Sequence, residues 1–266
     1  MSELLGLGFW QRALVAGVVL AVLCGVLSVF VILRRLAFIG VGISHSAFGG
    51  VALGFLMGID PLWTGIIFSA GVALAIEWAQ SRGHIEEDAA IGIFFAAAMA
   101  LGVLFLHLSG TYNVDVFGFL FGNILAIGGR QVVQILAVAV GVLAVVGIFF
   151  KEYVFISFDE EMAWVSGVPV AFLRALFLVL LSLAIIVAIY LVGIILVSAL
   201  LVIPGAAARN LTGHLRPMLG VSVGAAVGAT LAGLFASAFL DWPSGATIVV
   251  LLSLLFFLSS LWRRGQ

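Results

Sequence analysis

Long apolar runs, interrupted at short intervals by glycine, proline and charge, set the pattern of this chain. A helix that crosses a bilayer needs about 20 mostly apolar residues. That ruler marks nine runs, at 13–33, 36–58, 61–80, 89–109, 131–150, 171–192, 194–208, 217–240 and 244–262. The seventh is short. If it is a broken or re-entrant piece, the crossings number eight. Residues 111–129 are apolar as well, but their glycines, with Asn113 and Asn123, argue against a helix facing lipid. They read as a surface helix or a segment lining a cavity. The first run is longer than a signal-peptide core and has no basic leader, so it reads as the first span.

Composition makes lipid the solvent. Of 266 residues, 65% are hydrophobic and 9% charged, with a mean hydropathy of +1.37. A soluble domain is about 45–50% apolar and about 25% charged, and a water-soluble fold of this size could not hide so much apolar surface. The net charge of −1 gives no reason to expect a nucleic-acid partner. Cys24 is the only cysteine, which excludes an internal disulfide and a thiolate cluster. The expected fold class is all-α: a polytopic integral membrane protein in one domain over 1–266.

Basic residues orient the spans. With the N-terminus outside, Arg34, Arg35, Arg82, Lys151, Arg174, Arg209, Arg216, Arg263 and Arg264 fall on the cytoplasmic side, leaving Arg12 and Arg130 outside. That asymmetry follows the positive-inside rule.

The chain carries no visible engine of its own. Its only lysine, Lys151, is followed by Glu152 and preceded by Phe149 and Phe150, which is no phosphate-binding loop. An ion-driven carrier needs carboxylates within the membrane. Here Glu77 lies one turn from the cytoplasmic end of its run, where it can snorkel, and the other acids sit at ends and in loops. Neither catalysis nor ion coupling is indicated.

The longest cytoplasmic loop, 151–170, contains a short helix. Ser157 can cap it, with Glu160 completing a capping box. Asp159, Glu160 and Glu161 occupy the first turn, where the helix dipole favours negative charge. Gly167 and Pro169 end it. Phe158, Met162 and Val165 share one apolar face. One reading is a connector lying on lipid headgroups. The other is a knob that docks into a groove of a cytosolic ATPase, which three acids beside an anionic leaflet favour.

His45 is the one histidine placed deep in the membrane, on a helix face with Phe38, Val41, Gly49 and Ala52. Gly50, Gly54 and Gly58 form a stripe on the opposite face that lets a neighbouring helix approach. His45 either hydrogen-bonds a neighbour or makes a transient metal contact, with Ser44 and Ser46 beside it on the path. Pro204–Gly205 interrupts another apolar run and marks either a broken helix at depth or the end of span seven. Gly220, Gly224 and Gly228 form a second stripe, expected to be packing. Asp60, His107, Asp115 and Asp241 sit at the outer surface, either as solvated loop ends or as groups that concentrate cations at a pore mouth.

Taken together, these residues resemble the zinc/manganese/iron permeases of ATP-binding-cassette importers. RRLAFIGVGISHSAFGGVALG (34–54), EEDAAIGIFFAAAMALGVL (86–104), FGNILAI (121–127), FDEEMAWVSGVPV (158–170), VGIILVSALLVIPGAAARNLT (192–212) and LDWPSGATIVVLLSLLFF (240–257) carry the likeness in order over nearly the whole chain. The resemblance implies a type II importer fold and a homodimer in the bacterial cytoplasmic membrane. It also implies two cytosolic ATPases, an extracytoplasmic metal-binding protein, and a coupling helix at 158–167. The metal is then cargo, with no cofactor bound permanently, and its candidate contacts are His45, His107 and Asp115. The pathway residues would be Ser44, His45, Ser46 and Pro204. One departure stands out. The family often has Asp four residues before the histidine, whereas this chain has Val41, so an Asp–His pair is not available in this helix. A permease for a metal chelate and an ion-coupled carrier are the competing readings.

Overall fold

The computed structural model describes residues 8–81, 86–110 and 127–263. Among them the chain forms eleven α-helices: Gly8–Leu33 (α1), Ala37–Met57 (α2), Pro61–Ser81 (α3), Glu87–Ser109 (α4), Gly129–Ile148 (α5), Phe150–Phe158 (α6), Glu160–Val165 (α7), Val170–Val192 (α8), Ile194–Leu211 (α9), Leu215–Leu240 (α10) and Ser244–Arg263 (α11). Nine are long and apolar enough to span a bilayer, which decides between eight and nine candidate spans. Arg82, Asp115 and most of the expected surface segment at 111–129 lie outside the described residues.

The helices fall into two compact units. The first comprises α1, α5, the end of α8, α9, α10 and α11, and its centre is α1, which packs against α5, α9 and α10. Buried alanines, glycines and leucines along α1 let these neighbours close in. Polar side chains pin the contacts, because a hydroxyl in an apolar interior must find a partner within the protein. The Ser222 hydroxyl donates to the Gly25 carbonyl at 2.7 Å, and the Gly205 amide donates to the Ser28 hydroxyl at 2.8 Å. At the far end of α9, Asn210 donates to Ser259 of α11 at 3.2 Å.

Pro204 does not break its helix. α9 runs through it from Ile194 to Leu211, so a re-entrant break is excluded, and the helix also passes the limit expected for span seven. Proline removes one donor from the helical ladder. The next residue fits directly against α1: a Cβ on Gly205 would lie 2.5 Å from the Ser28 carbonyl oxygen. The turn comes earlier, at Gly193, whose φ of 82° separates α8 from α9 in a single residue.

The second unit holds α2, α3, α4, α6, α7 and α8 through Val187. Here α2 lies against both α3 and α4. Two members of the glycine stripe behave as its spacing predicts: a Cβ on Gly50 would lie 2.7 Å from the Cα of Gly65, and one on Gly54 would strike Thr64, whereas nothing lies within 4 Å of a Cβ on Gly58. A third small residue works on the α4 side, where a Cβ on Gly49 would lie 2.6 Å from the Ala98 carbonyl oxygen. The α2–α3 turn closes with Gly58 in the left-handed region and the Asp60 carboxylate accepting from the Leu62 amide at 2.9 Å. Pro61, at the first position of α3, has no amide to leave unsatisfied.

The second glycine stripe differs from expectation. Nothing lies within 4 Å of a Cβ built on Gly220, Gly224 or Gly228. Gly224 and Gly228 instead line an apolar groove with Leu251, Leu254, Leu255 and Leu258 of α11.

Candidate functional site

Three consecutive side chains on α2 bond back to their own helix. The Ser44 hydroxyl donates to the Gly40 carbonyl at 2.8 Å, and the Ser46 hydroxyl to the Gly42 carbonyl at 2.7 Å. Between them, His45 Nδ1 lies 2.9 Å from the Val41 carbonyl oxygen. A carbonyl can only accept, so Nδ1 carries a proton, and the nitrogen left to act as a ligand is Nε2. Phe95 of α4 meets the imidazole edge-on at 5.1 Å between ring centres. Both serines are buried and His45 is half-buried. Both hydroxyl protons are committed to backbone carbonyls, and the imidazole is the strongest metal ligand by type in this triplet.

Val41 is present here in two ways. Its carbonyl orients His45, and its side chain lines a cavity of about 310 Å³ with Phe38, Gly42, Asp88, Ile91, Gly92 and Phe95. Asp88, from the first turn of α4, is the acidic member of that lining.

The remaining candidates are dispersed. His107 sits exposed in the last turn of α4, Asp115 lies outside the described residues, and Pro204 is buried in α9 of the other unit. Asp60 caps α3, and Asp241 holds the left-handed C-terminal position of α10, so both have structural work of their own. Among the described residues, no three of His, Cys, Asp and Glu converge as a metal cage would require.

The 158–167 segment is built differently from its sequence reading. The N-cap is Asp159, whose backbone is extended and whose carboxylate accepts from the Met162 amide at 2.9 Å. Ser157 belongs to the preceding helix and donates to the Tyr153 carbonyl at 2.6 Å. Ser157 therefore caps nothing, because α6 continues to Phe158 and the chain breaks only at Asp159. Glu160 and Glu161 fall in the first turn. The end matches the glycine signal: Gly167, at φ 85°, donates to the Trp164 carbonyl and Val168 to the Ala163 carbonyl, each at 3.0 Å.

The apolar side of this helix is open. Phe158, Met162, Trp164 and Val165 are 68%, 54%, 72% and 72% exposed, while Ala163 is buried beneath them. Trp164 was not part of the expected apolar face.

Arg174 and Glu77 were not recognised from sequence as partners. One guanidinium nitrogen of Arg174 lies 2.7 Å from Glu77 Oε1 on α3, and the other lies 2.7 Å from Glu160 Oε1 on α7. Glu77 does not simply snorkel, since its carboxylate is engaged by an arginine from α8. The available signal was an acid inside an otherwise apolar run, which calls for a partner.

Comparison with known proteins decides the family. The model of the ABC 3 transport family matches residues 7–263. The chain belongs to that family. The manganese transport system membrane protein MntC of Halalkalibacterium halodurans is 38% identical over 97% of this chain and 88% of its own length. The high-affinity zinc uptake system membrane protein ZnuB of Haemophilus influenzae is 31% identical over 93% of this chain and 95% of its own. Among solved structures, PsaBC from Streptococcus pneumoniae in complex with Fab superposes with a TM-score of 0.87 at 33% identity, covering 97% of this chain and 93% of that one. An inward-facing putative metal-chelate type ABC transporter, 19% identical with a TM-score of 0.70 over 93% of this chain and 84% of that one, shares the fold. This ABC 3 family member is a multi-pass protein of the bacterial inner membrane.

Proposed function

We propose that this chain is the permease subunit of an ATP-driven importer and conducts a divalent transition-metal ion (manganese, zinc or iron) into the cytoplasm. The observation that carries this reading is the 158–167 segment: a capped, acid-headed helix whose large apolar side chains face outward. Four exposed apolar side chains on so short a segment suit a groove in another protein, and a cytosolic ATPase of the binding-cassette type is the partner that would supply work. The names of the manganese and zinc relatives support the cargo. In this assembly a second copy of the chain completes the conduit, two ATPases grip the two docking helices, and lipid surrounds the spans. An extracytoplasmic metal-binding protein delivers the ion.

His45 is the ion's contact on α2. Its Nδ1 is held by Val41, so Nε2 offers one neutral ligand, and a single imidazole binds weakly enough for the ion to leave, as conduction requires. His107 and Asp115 would act at the outer mouth, raising the local concentration of cations. The chain itself catalyses nothing.

The test is reconstitution. The permease is co-expressed with its ATPase and binding protein in liposomes, and uptake of manganese, zinc and iron is measured with and without ATP. ATP-dependent uptake of one of them is expected. Uptake driven by an ion gradient with the permease alone would overturn the proposal. A second arm uses the Phe158→Asp, Val165→Asp variant, which should insert normally yet fail to retain the ATPase.

A further inference from the structure

Arg174 makes contacts in two directions. Its planar guanidinium reaches Glu77 of α3 with one terminal nitrogen and Glu160 of α7 with the other, both at 2.7 Å. The three side chains are 28%, 18% and 46% exposed, in the order Arg174, Glu77, Glu160. They line a single cavity of about 520 Å³ with Glu161, Trp164, Val170 and Ala171. Open space therefore lies beside α7, and the charged bridge crosses it.

We propose that Arg174 is the positioning residue that transmits movement of the docking helix to α3, and through α3 to the helix that carries His45. The proposal rests on the docking reading of α7 given above. A push on α7 reaches α8 through the backbone in any case, because only the Ser166–Pro169 turn separates them. It reaches α3 through the Glu160–Arg174–Glu77 bridge. Beyond α3 there is little slack: Gly50 of α2 rests on Gly65 of α3, and Gly49 rests on Ala98 of α4, at distances that leave no room for a methyl group. Close-packed interiors pass on displacement rather than absorb it. His45 lies one turn before Gly49 on the same face of α2, so a shift of α3 carries the imidazole with it.

Arginine suits this task. Its two terminal nitrogens are fixed in one plane, so two acids on different helices are held at a set separation, which the single ammonium of lysine does not enforce. The bridge holds two carboxylates and one cation. Without the arginine, Glu77 and Glu160 would repel each other, and α7 would be pushed away from α3.

The experiment uses the complete transporter in proteoliposomes, measuring the ion taken up per ATP hydrolysed for whichever of manganese, zinc and iron the parent transports. The variants are Glu77→Gln, Arg174→Gln and Arg174→Lys, with ATPase co-purification scored for each. Glu77→Gln is the diagnostic change, because it leaves the Arg174–Glu160 pair and the docking face intact. Expected is full ATPase retention and continued hydrolysis, with uptake per ATP falling roughly three- to thirtyfold in Glu77→Gln and Arg174→Gln. Arg174→Lys should fall between these and the parent. Unchanged uptake per ATP in both glutamine variants would overturn the link. So would a fall in uptake that tracks lost ATPase, because the bridge would then only hold the docking helix in shape. If the parent protein shows no ATP-dependent uptake at all, it is the importer assignment that fails, and the two failures are thereby distinguished.

Discussion

The imidazole of His45 is held by the carbonyl of Val41, 2.9 Å from Nδ1, and this bond determines which ring nitrogen is left to bind a ligand. An i, i−4 bond of this kind needs no second helix, so it forms as α2 forms. It fixes the tautomer and points the Nε2 lone pair away from the helix backbone. Residue 41 is a valine, so it brings no side-chain ligand beside His45, and its backbone oxygen accepts from the imidazole.

His45→Ala removes the imidazole nitrogen from the 44–46 triplet. Uptake of the transported metal in reconstituted vesicles should fall about tenfold, which is the loss of roughly 1.4 kcal/mol of ion stabilisation. ATPase assembly should be unchanged, as seen by co-purification. Normal uptake would return His45 to a purely packing role beside Phe95.

Val41→Asp should have the opposite character. A carboxylate one turn before the histidine adds a hard, charged ligand on the same helix face. Metal retention measured by equilibrium binding should rise, and the maximal uptake rate should drop, because a tighter site releases its ion more slowly.

Asp159 and Ser157 can be separated by one substitution each. Asp159→Ala removes the cap of a six-residue helix, at a cost of about 0.5–2 kcal/mol. A helix this short has little stability to spare. Affinity for the ATPase should weaken severalfold in a pull-down titration, whereas Ser157→Ala should leave it unchanged. Equal effects would restore the serine cap that the sequence suggested.

The two glycine stripes should respond in opposite ways to alanine. A Cβ on Gly50 meets the Gly65 Cα at 2.7 Å and the Phe68 Cβ at 2.8 Å, so Gly50→Ala should cost about 1–3 kcal/mol through overpacking. A Cβ on Gly224 meets nothing, and alanine there should gain up to about 1 kcal/mol of helix propensity. Thermal unfolding in detergent should show the first variant melting earlier than the parent and the second no earlier.

Much of the architecture was legible because lipid imposes a simple rule. Every backbone polar group must be satisfied internally, so an apolar run of sufficient length can only be a helix. Run length alone therefore located nine spans to within a few residues, and the stripe at Gly50 and Gly54 correctly announced a close helix neighbour. The identical spacing at Gly220, Gly224 and Gly228 announced one that is absent from the described chain. Spacing states that a helix face is small; it does not state what covers it.

Local chemistry was legible where it depends on residues close in sequence, and it failed where two local options compete. Gly167 ended its helix as its spacing implied, because a left-handed position favours glycine wherever the surroundings permit. Ser157 and Asp159 are both good caps. The choice between them fell to Asp159 because α6 extends to Phe158 and leaves Ser157 inside a helix.

What the sequence determined by itself was the class of solvent, the places of the candidate spans, the lack of a phosphate loop at its only lysine and the acid-headed segment after α6. These follow from composition and from interactions no more than a helical turn apart. What only the tertiary structure decided was partnership. Arg174 lies far along the chain from Glu77, and no periodicity connects them. Their pairing exists because folding brings α3, α7 and α8 together at one end, where a carboxylate at the edge of an apolar run must find its counter-charge within the protein.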